Sequence, residues 1–255
     1  MKRETLIWDG LVRLFHLLFA VGFALAFWIA KGMGEDSKAF PFHMMLGLSL
    51  AFMVILRIVW LFVGTKWARF QGVDLNPMRL ISYFGGVLNP KSKDSPGHNP
   101  ATSWAMALMV VLTLFLAFSG LRMSQGDESL KGLHEAASFL FVGTAAAHVC
   151  GVLIHTLVKR DALPLAMVDG RKAVDPADGL PKGAPIAATL FLIASSFFFG
   201  SLAANWNPAT GTTRWPLTGG VLALGESEGE EQDGEGGGVV EPEAGEREEH
   251  EEDDD

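Results

Sequence analysis

Five histidines stand in or at the edge of stretches that are otherwise apolar: His16, His43, His134, His148 and His155. Ionisable side chains are costly inside a bilayer and usually serve a function where they occur, and neutral imidazole is the commonest side-chain metal ligand. His134 and His148 are 14 residues apart. That is nearly four turns of α-helix, so both fall on one face, about 21 Å apart along the axis. A single helix therefore carries one nitrogen donor at each of two levels. A second imidazole at each level, from a neighbouring helix, would suit two irons, each held between two nitrogens as in bis-imidazole haem. Zinc fits less well, because structural zinc gathers four ligands at one point and catalytic zinc three.

The elements that must supply those neighbours are visible in the hydropathy. Of 255 residues 49% are hydrophobic, and long apolar runs occupy 14–30, 39–63, 104–121, 133–158 and 185–206. About 20 residues of helix cross the hydrocarbon core, so five transmembrane helices are expected, the first four near 11–30, 40–63, 104–122 and 133–158. The first run follows a basic start, "MKRETLIWDGLVR". It is longer than the apolar core of a secretory signal and precedes further membrane segments, so it is read as an anchor rather than a cleaved leader.

Bases cluster before the first helix (Lys2, Arg3, Arg13), between the second and third (Lys66, Arg69, Arg79, Lys91, Lys93) and between the fourth and fifth (Lys159, Arg160, Arg171, Lys172, Lys182). The positive-inside rule then places the N-terminus in the cytoplasm and the C-terminus outside. In that up-down order His43 and His134 both lie within about a turn of the outer surface, while His16 and His148 lie about equally far inward. The expected pairs are His43/His134 outside and His16/His148 inside. His155 sits one turn from Lys159, too close to the cytoplasmic surface to match His16. It reads as an interfacial residue or a quinone or propionate contact, with the inner ligand as the alternative.

Other residues are placed by position. Arg13 and Arg57, near the cytoplasmic ends of their helices, are candidate propionate contacts or snorkelling cations; Glu135 and His98 are candidates for quinone or proton chemistry. Trp8, Trp60 and Trp67 suggest an inner aromatic belt and Trp28 and Trp206 an outer one. Ser103 is placed to cap the third helix, and the proline-rich loop 64–103 has room for a short helix near "NPMRLISYF". The lone Cys150 reads as a small core residue. From Glu226 onward 16 acids face only Arg247, a charge of about −15, whereas residues 1–225 carry about +6. Such a tail is expected to be a disordered spacer, or an electrostatic lure for a basic partner.

The motifs "WDGLVRLFH" (8–16), "FHMMLG" (42–47), "GHNPATSW" (97–104), "FSGL" (118–121), "LHEAA" (133–137), "AAHVCGVLIHTLVKRDAL" (146–163) and "MVDGRK" (167–172) follow one another in an order and spacing that resembles a known family. The chain is similar to the bacterial cytochrome b561 and nickel-hydrogenase cytochrome b group of membrane di-haem proteins, over about residues 5–173. The resemblance implies an all-α up-down four-helix bundle holding two b haems, with His16, His43, His134 and His148 in the ligand positions. It also implies electron transfer between the quinone pool and a redox partner outside the cytoplasmic membrane. The fifth helix and the acidic tail depart from the simplest members and leave the partner open.

The expected organisation is a di-haem membrane domain over 1–173, a loop and fifth helix over 174–208, and an outward, disordered tail over 209–255. The expected role is an electron conduit in the bacterial inner membrane, carrying two b-type haems and exchanging with quinone. Its partner would be a periplasmic c-type cytochrome or a hydrogenase or dehydrogenase subunit; no nucleic-acid partner is expected. Quinol oxidation or quinone reduction would be its share in a redox complex. The rival reading is a transporter or assembly subunit whose histidines relay protons or bind another metal.

Overall fold

A computed structural model describes residues 3–86, 88–89, 95–161 and 163–224. The acidic tail, Lys2, Lys91 and Lys93 lie outside the described residues. The described elements run β1 (Arg3–Leu6), α1 (Gly10–Trp28), α2 (Phe40–Val63), α3 (Pro77–Gly86), α4 (Pro100–Met123), α5 (Lys131–Lys159), α6 (Ala166–Asp169), β2 (Arg171–Val174), α7 (Pro185–Ala204), β3 (Thr212–Arg214) and β4 (Val221–Ala223). Five helical segments are long and apolar enough to cross a membrane: Gly10–Met33, Phe40–Val63, Pro100–Met123, Glu128–Lys159 and Pro185–Ala204.

Their boundaries follow local chemistry. Asp9 caps α1, its carboxylate accepting from the Val12 amide at 2.9 Å, and a π-helical turn over Ile29–Met33 carries the helix on to Gly34, whose φ of +85° breaks it. The third span begins four residues before the expected start, because Asn99, not Ser103, is the cap: its side-chain oxygen accepts from Thr102 N at 2.8 Å and Pro100 takes the first helical position. Ser103 is fully buried and accepts instead from the Asp74 amide at 3.0 Å, which ties the preceding loop to α4.

α2 is the central helix, packing against α1, α4 and α7; α5 lies on α4, and α7 also touches α1. α1 and α5 meet through aromatic rings, with Phe23 stacked on Phe141 at 3.9 Å between centroids. Large apolar side chains such as Leu17, Val111, Leu157 and Ile193 stay exposed on the spans, as a lipid-facing surface requires. Cys150 is on that exposed surface and not in the core.

At the near end of the bundle, β1 pairs antiparallel with β2, Arg3 opposite Val174 and Leu6 opposite Arg171. Asp9 knits this end together. Fully buried, it accepts from Trp60 Nε1 at 3.0 Å and Thr65 Oγ1 at 2.6 Å besides the Val12 amide, joining the start of α1 to the end of α2. The tryptophans expected as an inner belt do gather at this end, where each is also held by packing or by its indole N–H. Trp8 is buried with Ile7, Val12, Ala68 and Ala166, Trp60 is engaged by Asp9, and Trp67 donates to the Asp178 carbonyl at 2.8 Å.

At the far end the mostly helical bundle carries a short hairpin, within the stretch from 209 that was expected to be a disordered tail. β3 and β4 form a hairpin with Thr213 opposite Leu222, and Leu222 and Leu224 bury against Met45, Leu48, Phe198 and Leu202. Thr213 donates its hydroxyl hydrogen to the Leu202 carbonyl at 2.6 Å, fastening the hairpin to the end of α7. Order therefore continues to Leu224, past the expected boundary at 209, because Thr213, Leu222 and Leu224 on the inner face of the hairpin find a partner surface.

Candidate functional site

Two cavities lie between α1, α2, α4 and α5, one toward each end. The far cavity, of about 150 Å³, is lined by His43 from α2 and His134 from α5. Their ring centroids are 6.2 Å apart and their planes 68° apart. His43 Nδ1 is 2.9 Å from the Ala26 carbonyl. A carbonyl can only accept, so Nδ1 carries the proton and Nε2 keeps its lone pair. His134 is held in the same tautomer by Ser119, 2.8 Å from its Nδ1. Gly47, Gly120, Ala26 and Ala117 line this cavity, and a Cβ added at Gly47 would meet nothing within 4 Å. Small residues thus keep the space beside the imidazoles open.

Charge closes the mouth of the far cavity. Lys31, beyond α1, pairs with Glu135 on α5, and Lys131 on α5 pairs with Glu35 at 2.8 Å, a crossed set of ion pairs. Glu135, a candidate for quinone or proton chemistry, is here an ion-pair partner at the rim.

The near cavity is larger, about 890 Å³, and both His16 on α1 and His148 on α5 line it. Among the described residues neither ring makes a hydrogen bond. Phe23 lines both cavities, and with Phe141 it stands between them. The near cavity is also basic. Arg57, Arg79, Lys159 and Lys172 line it, and Arg57 is buried with one hydrogen bond, from Nη1 to the Ala68 carbonyl at 3.2 Å. Among the described residues no carboxylate lies within 4 Å of Arg57, so a buried cation faces space that an acid could fill. Arg13, paired with Arg57 in the sequence reading, is elsewhere: its Nη1 donates to the Val168 carbonyl at 2.7 Å and it is not among the cavity walls.

His155 and His98 also line the near cavity. His155 Nε2 lies 3.1 Å from Asp161 Oδ2, a contact that neither His16 nor His148 makes. His98 packs at a tilt against Trp8, ring centroids 4.6 Å apart, and burial, reinforced by the Arg57 guanidinium, pushes its pKa down to about 4. It is therefore neutral at physiological pH.

The structure thus gathers His43 with His134 and His16 with His148, on facing helices at two levels. Three contributors escaped the sequence reading: Ser119, the Ala26 carbonyl and Asp161. Ser119 lay within "FSGL" and Asp161 within "HTLVKRDAL", but a serine in a span is usually bonded back to its own helix, and a carbonyl has no sequence signature.

The family model of prokaryotic cytochrome b561 matches residues 7–170. The chain belongs to that family. Membership makes it a multi-pass membrane haem protein of the b type that transfers electrons, and the match takes in both cavities and all four paired histidines. α7, the β3–β4 hairpin and the tail lie outside the matched residues. No curated relative and no similar solved structure is found.

Proposed function

We propose that this cytochrome b561 family member conducts electrons across the bacterial inner membrane through two b haems, exchanging with quinone and with a redox partner at the periplasmic face. One observation carries the reading: two imidazole pairs occupy two cavities, and in the far pair each Nδ1 is committed to a hydrogen bond that leaves Nε2 as a donor. His43 and His134 would hold one haem, His16 and His148 the other. The 6.2 Å centroid separation of the far pair is close to that of two imidazoles sharing one metal atom at about 2 Å from each nitrogen. Among the described residues no three His, Cys, Asp or Glu side chains converge on one point, and the histidines stand as two pairs, each of which would hold one haem.

Each haem iron, when bound, supplies a one-electron couple whose potential depends on axial ligands, burial and nearby charge. The chain's residues fit such a group. The near cavity lies within the range of about 300–1,000 Å³ usual for ligand sites, and Arg57 offers a buried cation to a propionate. The far cavity must widen on loading. Separating the crossed Lys31–Glu135 and Lys131–Glu35 pairs would present two ammonium groups to the acid side chains of the second haem. His155, tied to Asp161, contacts propionate or quinone and not iron.

The near end carries Arg3, Arg13, Lys66, Arg69, Arg79 and Arg160, which supports a cytoplasmic N-terminus. The partner is then met at the far end, where the β3–β4 hairpin lies. A pyridine haemochrome assay tests the reading directly. About two b haems per chain are expected, falling by one in His134→Ala and by one in His148→Ala; a chain without haem would leave a transporter or assembly role. Deleting residues 226–255 separates the partners, since only a basic c-type cytochrome should lose its salt-dependent rate of reduction.

A further inference from the structure

The short helix α3 has two faces of opposite character. At about 100° per residue, Met78, Ile81 and Phe84 fall on one side, and Arg79, Ser82, Tyr83 and Gly86 on the other. The second set lines the near cavity. The first points away from the protein, with 70%, 66% and 61% of each residue exposed.

The orientation of α3 is fixed. Asn76 Oδ1 accepts from the amides of Met78 and Arg79 at 2.9 and 3.2 Å, capping the helix, and Asp74 accepts from Asn76 N at 3.1 Å and from Arg79 Nη1 at 3.2 Å. The Asp74 amide in turn donates to the buried Ser103 of α4, and α3 packs along α4. The apolar face cannot simply turn inward, and among the described residues nothing covers it. α4 is itself a span whose exposed face, Leu108 and Val111 among others, must contact lipid, so the apolar face of α3 continues a surface that lipid already covers. Exposed Phe70 and Leu75 precede α3 in the chain, and exposed Arg69 adds a positive charge there, whereas Arg79 is paired with Asp74. An apolar face preceded by an exposed base, beside a transmembrane bundle, has the composition of a helix lying in the headgroup region of an anionic leaflet.

We propose that α3 is an interfacial lid, its apolar face seated in the phospholipid leaflet and its polar face roofing the near cavity. Access to that cavity is then set at the membrane surface. The proposal rests on the spans and not on haem.

The test uses the full chain with Cys150→Ala, reconstituted in vesicles of phosphatidylcholine and phosphatidylglycerol. An environment-sensitive fluorophore on Ile81→Cys or Phe84→Cys should emit to the blue and be quenched by lipids carrying a nitroxide near the headgroup, unlike one on Ala177→Cys in the exposed near-end loop. If residues 81 and 84 behave as 177 does, the proposal fails. It also fails if they are shielded only in native membranes, which would assign the face to a protein partner. For the lid, Ile81→Asp with Phe84→Asp should speed labelling of a Met106→Cys reporter in the cavity wall by a water-soluble maleimide about tenfold; an unchanged rate would reject that role. None of these readouts involves haem, so the conduit and the lid stand or fall separately.

Discussion

Ser119 lies beneath His134 with its hydroxyl oxygen 2.8 Å from Nδ1, while it stands 2.8 Å from the Phe115 carbonyl one turn back. With its single hydrogen directed to that carbonyl, or to the Leu116 carbonyl at 3.2 Å, the oxygen is left to accept from Nδ1–H. Ser119 thereby selects the tautomer of His134 and leaves Nε2 as its donor atom.

Ser119→Ala removes that orienting contact without touching the cavity wall. Loss of such a supporting partner typically weakens metal binding about 10–100-fold. Haem titration should show one of two sites weakened to that extent, and a redox titration should show one midpoint moved and the other in place. Two unmoved midpoints would mean that His134 is not a ligand.

His155 and His148 are seven residues apart on α5 but should differ sharply in effect. His148→Ala is expected to lose one haem. His155→Ala and Asp161→Asn are expected to keep both, because His155 Nε2 makes a 3.1 Å contact with Asp161 that His148 does not make. Haem per chain after affinity purification in detergent decides between them.

Asp9→Ala should destabilise the whole near end. It deletes a helix cap and leaves the Trp60 and Thr65 donors without their acceptor, at a cost of about 2–4 kcal/mol in total. A lower midpoint of thermal unfolding in detergent, with haem content unchanged before melting, is the expected result.

His98 gives a signed pH dependence. Its folded pKa of about 4 lies below the ordinary value of 6.5, so between those values the unfolded chain binds a proton that the folded chain refuses. Stability contributed by His98 is full above about pH 6.5 and is lost as pH falls toward 4, by up to about 3 kcal/mol. His98→Gln should flatten the slope of unfolding midpoint against pH in that window relative to the parent chain.

Much of this was legible in the sequence because the bilayer imposes simple rules. Hydropathy located the spans, and helical rise put His134 and His148 at two levels of one rod. What escaped has physical causes of its own. Asn99 rather than Ser103 begins α4 because Pro100 is already preset for the first turn, a choice that hydropathy does not register. The tryptophans at the near end read as a belt because tryptophan is common at interfaces; that Asp9 and the Asp178 carbonyl also hold Trp60 and Trp67 through their indole N–H groups is visible only in the tertiary structure. The β3–β4 hairpin hid behind the acidic run that follows it, since its Leu222 and Leu224 are buried only against α2 and α7. Arg13 and Arg57 looked equivalent by position, yet the Val168 carbonyl holds one outside the cavity while the other faces into it.

The stacked rings of Phe23 and Phe141, which stand between the two cavities, give the bundle a property that neither cavity has alone. An electron can tunnel through a few ångströms of closely packed hydrocarbon, whereas a hydrated ion or a proton needs a file of water or polar groups to pass. Two packed phenyl rings between the cavities offer no file of polar groups to a hydrated ion, while an electron passing between groups held on either side would meet only hydrocarbon.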